Sequence, residues 1–211
     1  MVGRSEIDVV FVTGPPGAGK TTVVEGYRAE HPYTDHFGTG ELVSGIRDGD
    51  IESEYADILQ EAARKGTLLP NASYSLIVRE RIRYAAEHAN MVMVTGFPHD
   101  YGDWRIFNRN IANEGIRPLG SVVLNVGLET SVARMQQRDA DRGMDVATAT
   151  SSKERLGYEE RYHGLMGRHA IRLDCYRRAG LSTVPIYADR PPGEVLVDFT
   201  RVVDRLREGE N

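Results

Sequence analysis

Cysteine is nearly missing from this 211-residue sequence. The single Cys175 cannot form an internal disulfide, so nothing demands an oxidising compartment. It lies in a helical pattern, where a buried packing role is expected. Lysine is almost as scarce: of 26 basic residues only Lys20, Lys65 and Lys153 are lysine, and the other 23 are arginine. Arginine is therefore the default cation, and one arginine alone says little, whereas a lysine inside a patterned segment says more. A basic excess is also lacking. The net charge of −5 argues against a general nucleic-acid or membrane-surface binder. No stretch approaches the ~20 apolar residues of a membrane span. The first apolar run is short and leads straight into a glycine-rich turn, so no signal peptide is expected and a cytoplasmic location is. No internal repeat, low-complexity tract or linker interrupts the chain, and its length suits one domain with a small insertion.

What is present begins with Gly14-Pro15-Pro16-Gly17-Ala18-Gly19-Lys20-Thr21, which fits Gly-x-x-x-x-Gly-Lys-[Ser/Thr]. The β-branched apolar run 7–12 precedes it and reads as a buried strand, and Thr22 to Glu30 can propagate a helix. Strand, glycine-rich turn and helix are the context a phosphate-binding loop requires. Glycines let backbone N–H groups curl closely around phosphate oxygens, and the helix N-terminus adds partial positive charge. The expectation is an ATP site formed by Gly14, Pro15, Gly17, Ala18, Gly19, Lys20, Thr21 and Thr22. Lys20 would reach the β- and γ-phosphates, and the Thr21 hydroxyl would ligate Mg²⁺.

Further along, His31-Pro32 breaks the first helix, and Tyr33 to Phe37 suggests a short second strand. Thr39 is placed to cap a helix opening at Gly40-Glu41-Leu42. Ile51 to Arg64 reads as a helix with Ile58, Leu59 and Ala62 on its apolar stripe and Gly66 at its C-cap. Another helix runs from Asn71 or Ser73 to about His88. Met91 to Thr95 is a central strand ending in Gly96-Phe97-Pro98. Trp104 to Ala112 is read as helix, Val122 to Val126 as strand, and Glu129 to Arg138 as helix with Arg134 and Arg138 sharing its polar face. From Asp139 to Thr150 apolar periodicity disappears, which suggests a loop or lid. A glycine-interrupted helical region (151–178), a last strand (184–187) and a final helix (194–207) complete the chain. The alternation predicts an α/β fold, a parallel sheet covered on both faces, with ligands at the strands' C-terminal ends.

In this order and spacing the chain resembles the adenylate kinase, or nucleoside monophosphate kinase, family of P-loop kinases. Five blocks carry the likeness: the loop at 14–21, Thr39-Gly40-Glu41-Leu42, Gly66-Thr67-Leu68-Leu69, Gly96-Phe97-Pro98, and Arg134-x-x-x-Arg138 followed by Arg155-Leu156. The resemblance implies a five-stranded parallel core, a helical acceptor-binding arm at about 38–70 and a short lid at about 139–150. It implies an ATP- and Mg²⁺-dependent kinase, a monomer, whose partner is a small-molecule phosphoryl acceptor rather than nucleic acid or membrane. By the family's roles Arg134 flanks the donor adenine, Arg138 and Arg155 clamp the transferring phosphates, and Arg142 joins them as the lid closes. Arginine forks match phosphate oxygens bidentately and stay charged. On the acceptor side Thr39 with Gly40 touches the base, Leu69 lines its pocket, and Gly96 borders it.

Departures from the family pattern gather on that acceptor side. The arginine expected after Gly-Phe-Pro is His99, the base-reading glutamine is Asp103, the arm's arginine is Ser44, and the strand-end acid is Thr95. Arg47 and Arg105 lie close in sequence to the lost arginines, and Glu41 and Asp100 are the nearest acids for the metal's outer shell. His99 is either a substitute cation or a general base. A nucleotide kinase without a standard AMP site, a kinase of a hydroxyl-bearing small molecule, and a nucleotide-binding regulator without turnover all remain open at this point.

Overall fold

In a computed structural model, which describes residues 6–67, 71–141 and 152–209 and the side chains of all of these save 71–72 and 152–156, strands and helices alternate. The order is β1 (Ile7–Thr13), α1 (Lys20–Glu30), β2 (Thr34–Gly38), α2 (Thr39–Asp48), α3 (Ala56–Lys65) and α4 (Asn71–Ala85). Then come β3 (Met91–Thr95), α5 (Tyr101–Ile111), β4 (Ile116–Asn125), α6 (Leu128–Asp141), α7 (Ser152–Arg178), β5 (Thr183–Tyr187) and α8 (Pro192–Glu208). The five strands form one all-parallel sheet in the order β2-β3-β1-β4-β5. This is the expected α/β architecture.

Apolar runs explain the order. Every residue of β1 is buried, as a strand at the sheet's centre with helices on both faces must be. Its side chains alternate between two cores. Ile7, Val9 and Phe11 face a cluster completed by Ile77, Ile82 and Tyr176 from α4 and α7, while Val10 and Val12 face Val24, Phe199 and Val203 from α1 and α8. Phe11 anchors an aromatic nest with Phe97, Trp104, Phe107 and Tyr176, ring centres 5.6–6.2 Å away. Pro185 is tolerated because β5 is an edge strand, paired only with β4.

Registers then decide where chemistry can happen. Val12 stands beside Thr95 and Gly38 beside Thr95, so the C-terminal ends of β1, β3 and β2 line up at one edge of the sheet. The turns leaving those ends are the phosphate-loop motif, Gly96-Phe97-Pro98, and the start of α2.

Several boundaries differ from the sequence-based expectation. Helix α3 starts at Ala56, not Ile51, because residues 51–55 are tied elsewhere: Ile51 packs on Gly45, and the Glu80 carboxylate accepts from Ser53 Oγ (2.5 Å) and Glu54 N (2.7 Å). Ile58 leaves the apolar stripe and is 46% exposed, while Leu59 and Ala62 are buried. Strand β4 begins six residues earlier than its apolar core suggested, and its register against β1 shifts at Val9/Val10. Helix α6 extends through Asp139 to Asp141, into the segment expected to be lid. Asp139 is buried there and accepts from Tyr158 Oη of α7 at 3.0 Å. Arg142, the rest of the expected lid and Leu69 lie outside the described residues, as does the side chain of Arg155.

Candidate active site

Gly19 takes left-handed backbone angles (φ 86°) as the N-cap of α1, so the chain turns from the loop directly into the helix. Gly17 (φ +69°) has no room for a side chain: a Cβ there would stand 2.7 Å from the Ser131 carbonyl oxygen. Helix α6 fastens the loop from that side. Ser131 Oγ donates to Pro16 O at 2.5 Å, and Arg134 donates to Gly17 O at 3.3 Å. The other end of the Arg134 guanidinium donates to Ala188 O (2.9 Å) and Arg190 O (3.3 Å), linking the loop to the turn between β5 and α8. These contacts wall a cleft of about 670 Å³ lined by the loop from Pro16 to Val23, Arg134, Arg138, Ala188 and Pro192. It is the size expected for a small ligand. A cleft of about 780 Å³ between α2 and α4 is lined by Asp50, Glu52, Glu54 and Glu80, with Arg81 its only base among the described residues, and so suits phosphate poorly.

Lys20 points back into the loop, donating to Gly14 O (2.9 Å) and Pro15 O (2.8 Å). Among the described residues it has no carboxylate partner. Burial, then repulsion from Arg172 and Arg138, lowers its pKa to about 8. Thr21 and Thr22 are exposed in the first turn of α1, where the Thr21 hydroxyl is open to a ligand. Arg138 is half-exposed and loosely held by Asp139, with Nη2 to Oδ1 at 3.3 Å.

Across the sheet edge, Thr39 meets Gly96. A Cβ on Gly96 (φ +89°) would stand 2.7 Å from Thr39 Oγ1, so only glycine lets the α2 start approach the turn. Thr39 does not cap α2. Gly38 holds the cap position without a side-chain bond, and Thr39 is the first helical residue, 3% exposed. Gly40 is the second.

The structure corrects the reading of Asp103 as a residue that faces the acceptor. Its carboxylate is only 1% exposed and closes a reciprocal cap: Asp103 N donates to Asp100 Oδ1 (2.9 Å), and Asp103 Oδ2 accepts from His99 N (3.1 Å). That cap is why α5 starts at Tyr101. His99 remains partly exposed, its ring on Tyr74 with centres 4.4 Å apart and its Nδ1 3.3 Å from Asp103 Oδ2. The neighbouring arginines do not fill the acceptor side either. Arg47 forks onto Asp48 on the exposed end of α2, and Arg105 faces a surface cleft with Arg109 and Arg178.

Helix α7 supplies what sequence reasoning missed. His169, Arg172 and Tyr176 fall at i, i+3 and i+7, one face of the helix, and all three reach this edge of the sheet. His169 is 4% exposed and its Nδ1 lies 3.2 Å from Thr13 Oγ1 at the end of β1. Burial, then Arg172 and Lys20, pull its pKa below the ordinary value. Tyr176 Oη donates to Phe97 O at 2.5 Å. Arg172 Nε donates to both Gly96 O (3.1 Å) and Pro98 O (3.0 Å). The polar triplet on an otherwise buried helical face was the available signal.

Two comparisons bear on this geometry. A family model described as an AAA domain matches residues 13–153, two thirds of the chain, beginning at the last residue of β1. The sequence is also similar to UMP-CMP kinase of Rattus norvegicus, 26% identical over 201 residues that span 93% of this chain and 97% of that protein. Adenylate kinase isoenzyme 1 of Rattus norvegicus is 27% identical and that of Gallus gallus 28%, each over 149 residues covering 70% of this chain and 73% of theirs. The chain belongs to the AAA-domain family, and the relatives it is similar to at 26–28% identity are kinases.

Of the residues expected to hold the donor, Gly17 to Thr22, Arg134 and Arg138 line one cleft, and Thr39, Gly96 and His99 lie on the other side of the same sheet edge. The oxygens available to a magnesium ion fit that hard cation: the Thr21 hydroxyl, and Glu41, whose Oε2 lies on the same side of Gly38 as Thr95 Oγ1. Lys20, without a carboxylate partner among the described residues, gives a pH prediction. Phosphate binding favours the protonated amine, so ATP-analogue affinity should hold below about pH 8 and fall above it, by up to about tenfold per pH unit. Calorimetric titrations from pH 7 to 9.5 check this; a flat profile would refute the assignment of Lys20 as the phosphate ligand. Among the described residues, no helix is long and apolar enough to cross a membrane.

Proposed function

We propose that this protein is an ATP- and Mg²⁺-dependent kinase that moves the γ-phosphoryl group of ATP to a nucleoside monophosphate, with an acceptor site unlike that of a standard AMP enzyme. The observation that carries the reading is the cationic cleft itself. The loop, Lys20, Arg134 and Arg138 converge on one space, and Lys20 has no acid beside it among the described residues. Desolvated cations without counter-ions are costly unless an anion completes them.

Phosphoryl transfer asks the protein for alignment and charge neutralisation rather than a covalent intermediate. The acceptor phosphate oxygen attacks the γ-phosphorus, and the bond to the β–γ bridging oxygen breaks. In this account the loop amides and Lys20 hold the β- and γ-phosphates, Arg134 flanks the donor base, and Arg138, with Arg155 and Arg142, neutralises the moving group. Thr21, with Glu41 through water, would hold Mg²⁺, which when bound neutralises phosphate charge. Thr39 and Gly40, with Leu69, would meet the acceptor base. Residues 38–70 would act as the acceptor arm and 139–150 as the lid of a single kinase domain. The relatives' names, UMP-CMP kinase and adenylate kinase, support a nucleotide acceptor. A coupled assay over AMP, CMP, UMP, GMP, dTMP and their deoxy forms should find turnover on at least one, with AMP not preferred. No product from any of them would overturn the reading.

One contact favours a second reading, a hydroxyl acceptor. His99 Nδ1 lies 3.3 Å from Asp103 Oδ2 without a hydrogen bond to it, close enough that a small rotation would let the carboxylate steady a general base. His99→Gln should then abolish transfer to a nucleoside while leaving ATP binding intact.

A further inference from the structure

The acceptor side of this kinase lacks the two arginines that the family pattern would place at His99 and Ser44, yet it is not without a guanidinium. Arg172 reaches it from α7, 76 residues away in sequence from Gly96. Its Nε is fixed by two carbonyls at opposite ends of the Gly96-Phe97-Pro98 turn, 3.1 and 3.0 Å away. That turn is itself rigid: Phe97 is buried in the aromatic nest, its carbonyl accepts from Tyr176, and Thr39 packs under Gly96. An arginine anchored through Nε keeps its two terminal nitrogens for another ligand, and those are the pair that forks onto phosphate.

Three further facts point the same way. Among the described residues, no carboxylate pairs with Arg172, although most surface arginines of this chain have one, such as Arg28, Arg79, Arg117 and Arg190. Its nearest charged neighbours are cations, since it repels Lys20 more than Arg138 does. It is largely buried, and its own pKa is lowered chiefly by that burial. A largely buried guanidinium that repels a nearby lysine and, among the described residues, pairs with no acid suits an anion.

We propose that Arg172 is the acceptor-phosphate ligand of this kinase, taking over from α7 the work of the arginines absent at positions 44 and 99. The inference rests on the nucleoside monophosphate reading above. It makes Arg172 a specificity-determining residue: it would favour acceptors that carry a phosphate over the corresponding nucleosides.

The test compares each nucleoside monophosphate of the assay panel with its own nucleoside. Binding to the full chain is measured by calorimetry with a non-hydrolysable ATP analogue and Mg²⁺ present, for the parent, Arg172→Met and Arg172→Lys. A phosphate ligand predicts that Arg172→Met weakens the accepted monophosphate by about 10- to 100-fold. The nucleoside and the ATP analogue should stay within about threefold of the parent under the same principle of local loss. Arg172→Lys, which keeps charge but not the fork, should recover part of the monophosphate binding. If Arg172 only braces the turn, monophosphate and nucleoside weaken alike and lysine restores neither, which overturns the proposal. Loss confined to the ATP analogue would place Arg172 on the donor and also overturn it. Should Arg172→Met fail to fold, the monophosphate-to-nucleoside ratio in Arg172→Lys decides alone. If the parent binds no monophosphate at all, the acceptor reading fails with it, an outcome distinct from parent and variant binding one equally.

Discussion

Lys20→Met should lower phosphoryl transfer by about 10²–10³-fold, the range seen when one preorganised stabilising donor is lost, and leave the fold intact. Methionine nearly matches the lysine stem in length and removes only the ammonium. In the free protein that ammonium donates to Gly14 O and Pro15 O, carbonyls of the loop it would leave on meeting phosphate. Its burial and its two guanidinium neighbours make it an unfavourable charge when no anion is bound, so removing it should hold or raise thermal stability rather than lower it. ATP-analogue binding should weaken about 10- to 100-fold, as expected for losing a charge-assisted hydrogen bond. Turnover, calorimetry and thermal melts on one preparation check all three. Parent-like ATP binding would remove the foundation of the functional reading.

The largest effect is expected at Arg138. Replacing it with alanine should reduce turnover by about 10³–10⁵-fold, the worth of an arginine that neutralises the transferring group, with little change in either KM. The expectation of a selective rate effect comes from its present contacts. Arg138 is half-exposed and, among the described residues, held only by Asp139 Oδ1, through Nη2 at 3.3 Å and Nε at 3.4 Å, contacts long enough to let it swing toward the loop side of the cleft it lines. Its partner Asp139 is buried and also accepts from Tyr158 Oη, so losing the guanidinium should lower stability by somewhat more than the about 0–1 kcal/mol of a fully exposed pair. Arg138→Lys should recover only part of the rate, because a point charge lacks the planar fork. Turnover within tenfold of the parent would remove Arg138 from the transfer step.

The glycine-rich loop and its turn into α1 were legible in the sequence because their geometry is local. Eight consecutive residues carry the loop, and their glycines need no distant partner to explain them. The acceptor side was misread where contacts outside its motifs decide. Asp103 stands where a base reader would, but Asp100 caps the helix on its N–H, and its own carboxylate faces inward to accept from His99 N. Thr39 looked like a cap and is instead wedged under Gly96. Ile51 to Tyr55 carried helical periodicity, yet Glu80 of α4 draws Ser53 and Glu54 out of the helix.

By itself the sequence determined the parallel α/β sheet, the phosphate loop and the family, since apolar runs, glycine positions and motif order are properties of neighbouring residues. Only the tertiary structure shows which cation meets the Gly96-Phe97-Pro98 turn. Arg172 is one of 23 arginines and carries no local mark. It becomes special because α7 packs its buried face over the ends of β1 and β3, where a guanidinium finds two carbonyls to hold it and, among the described residues, no acid to neutralise it.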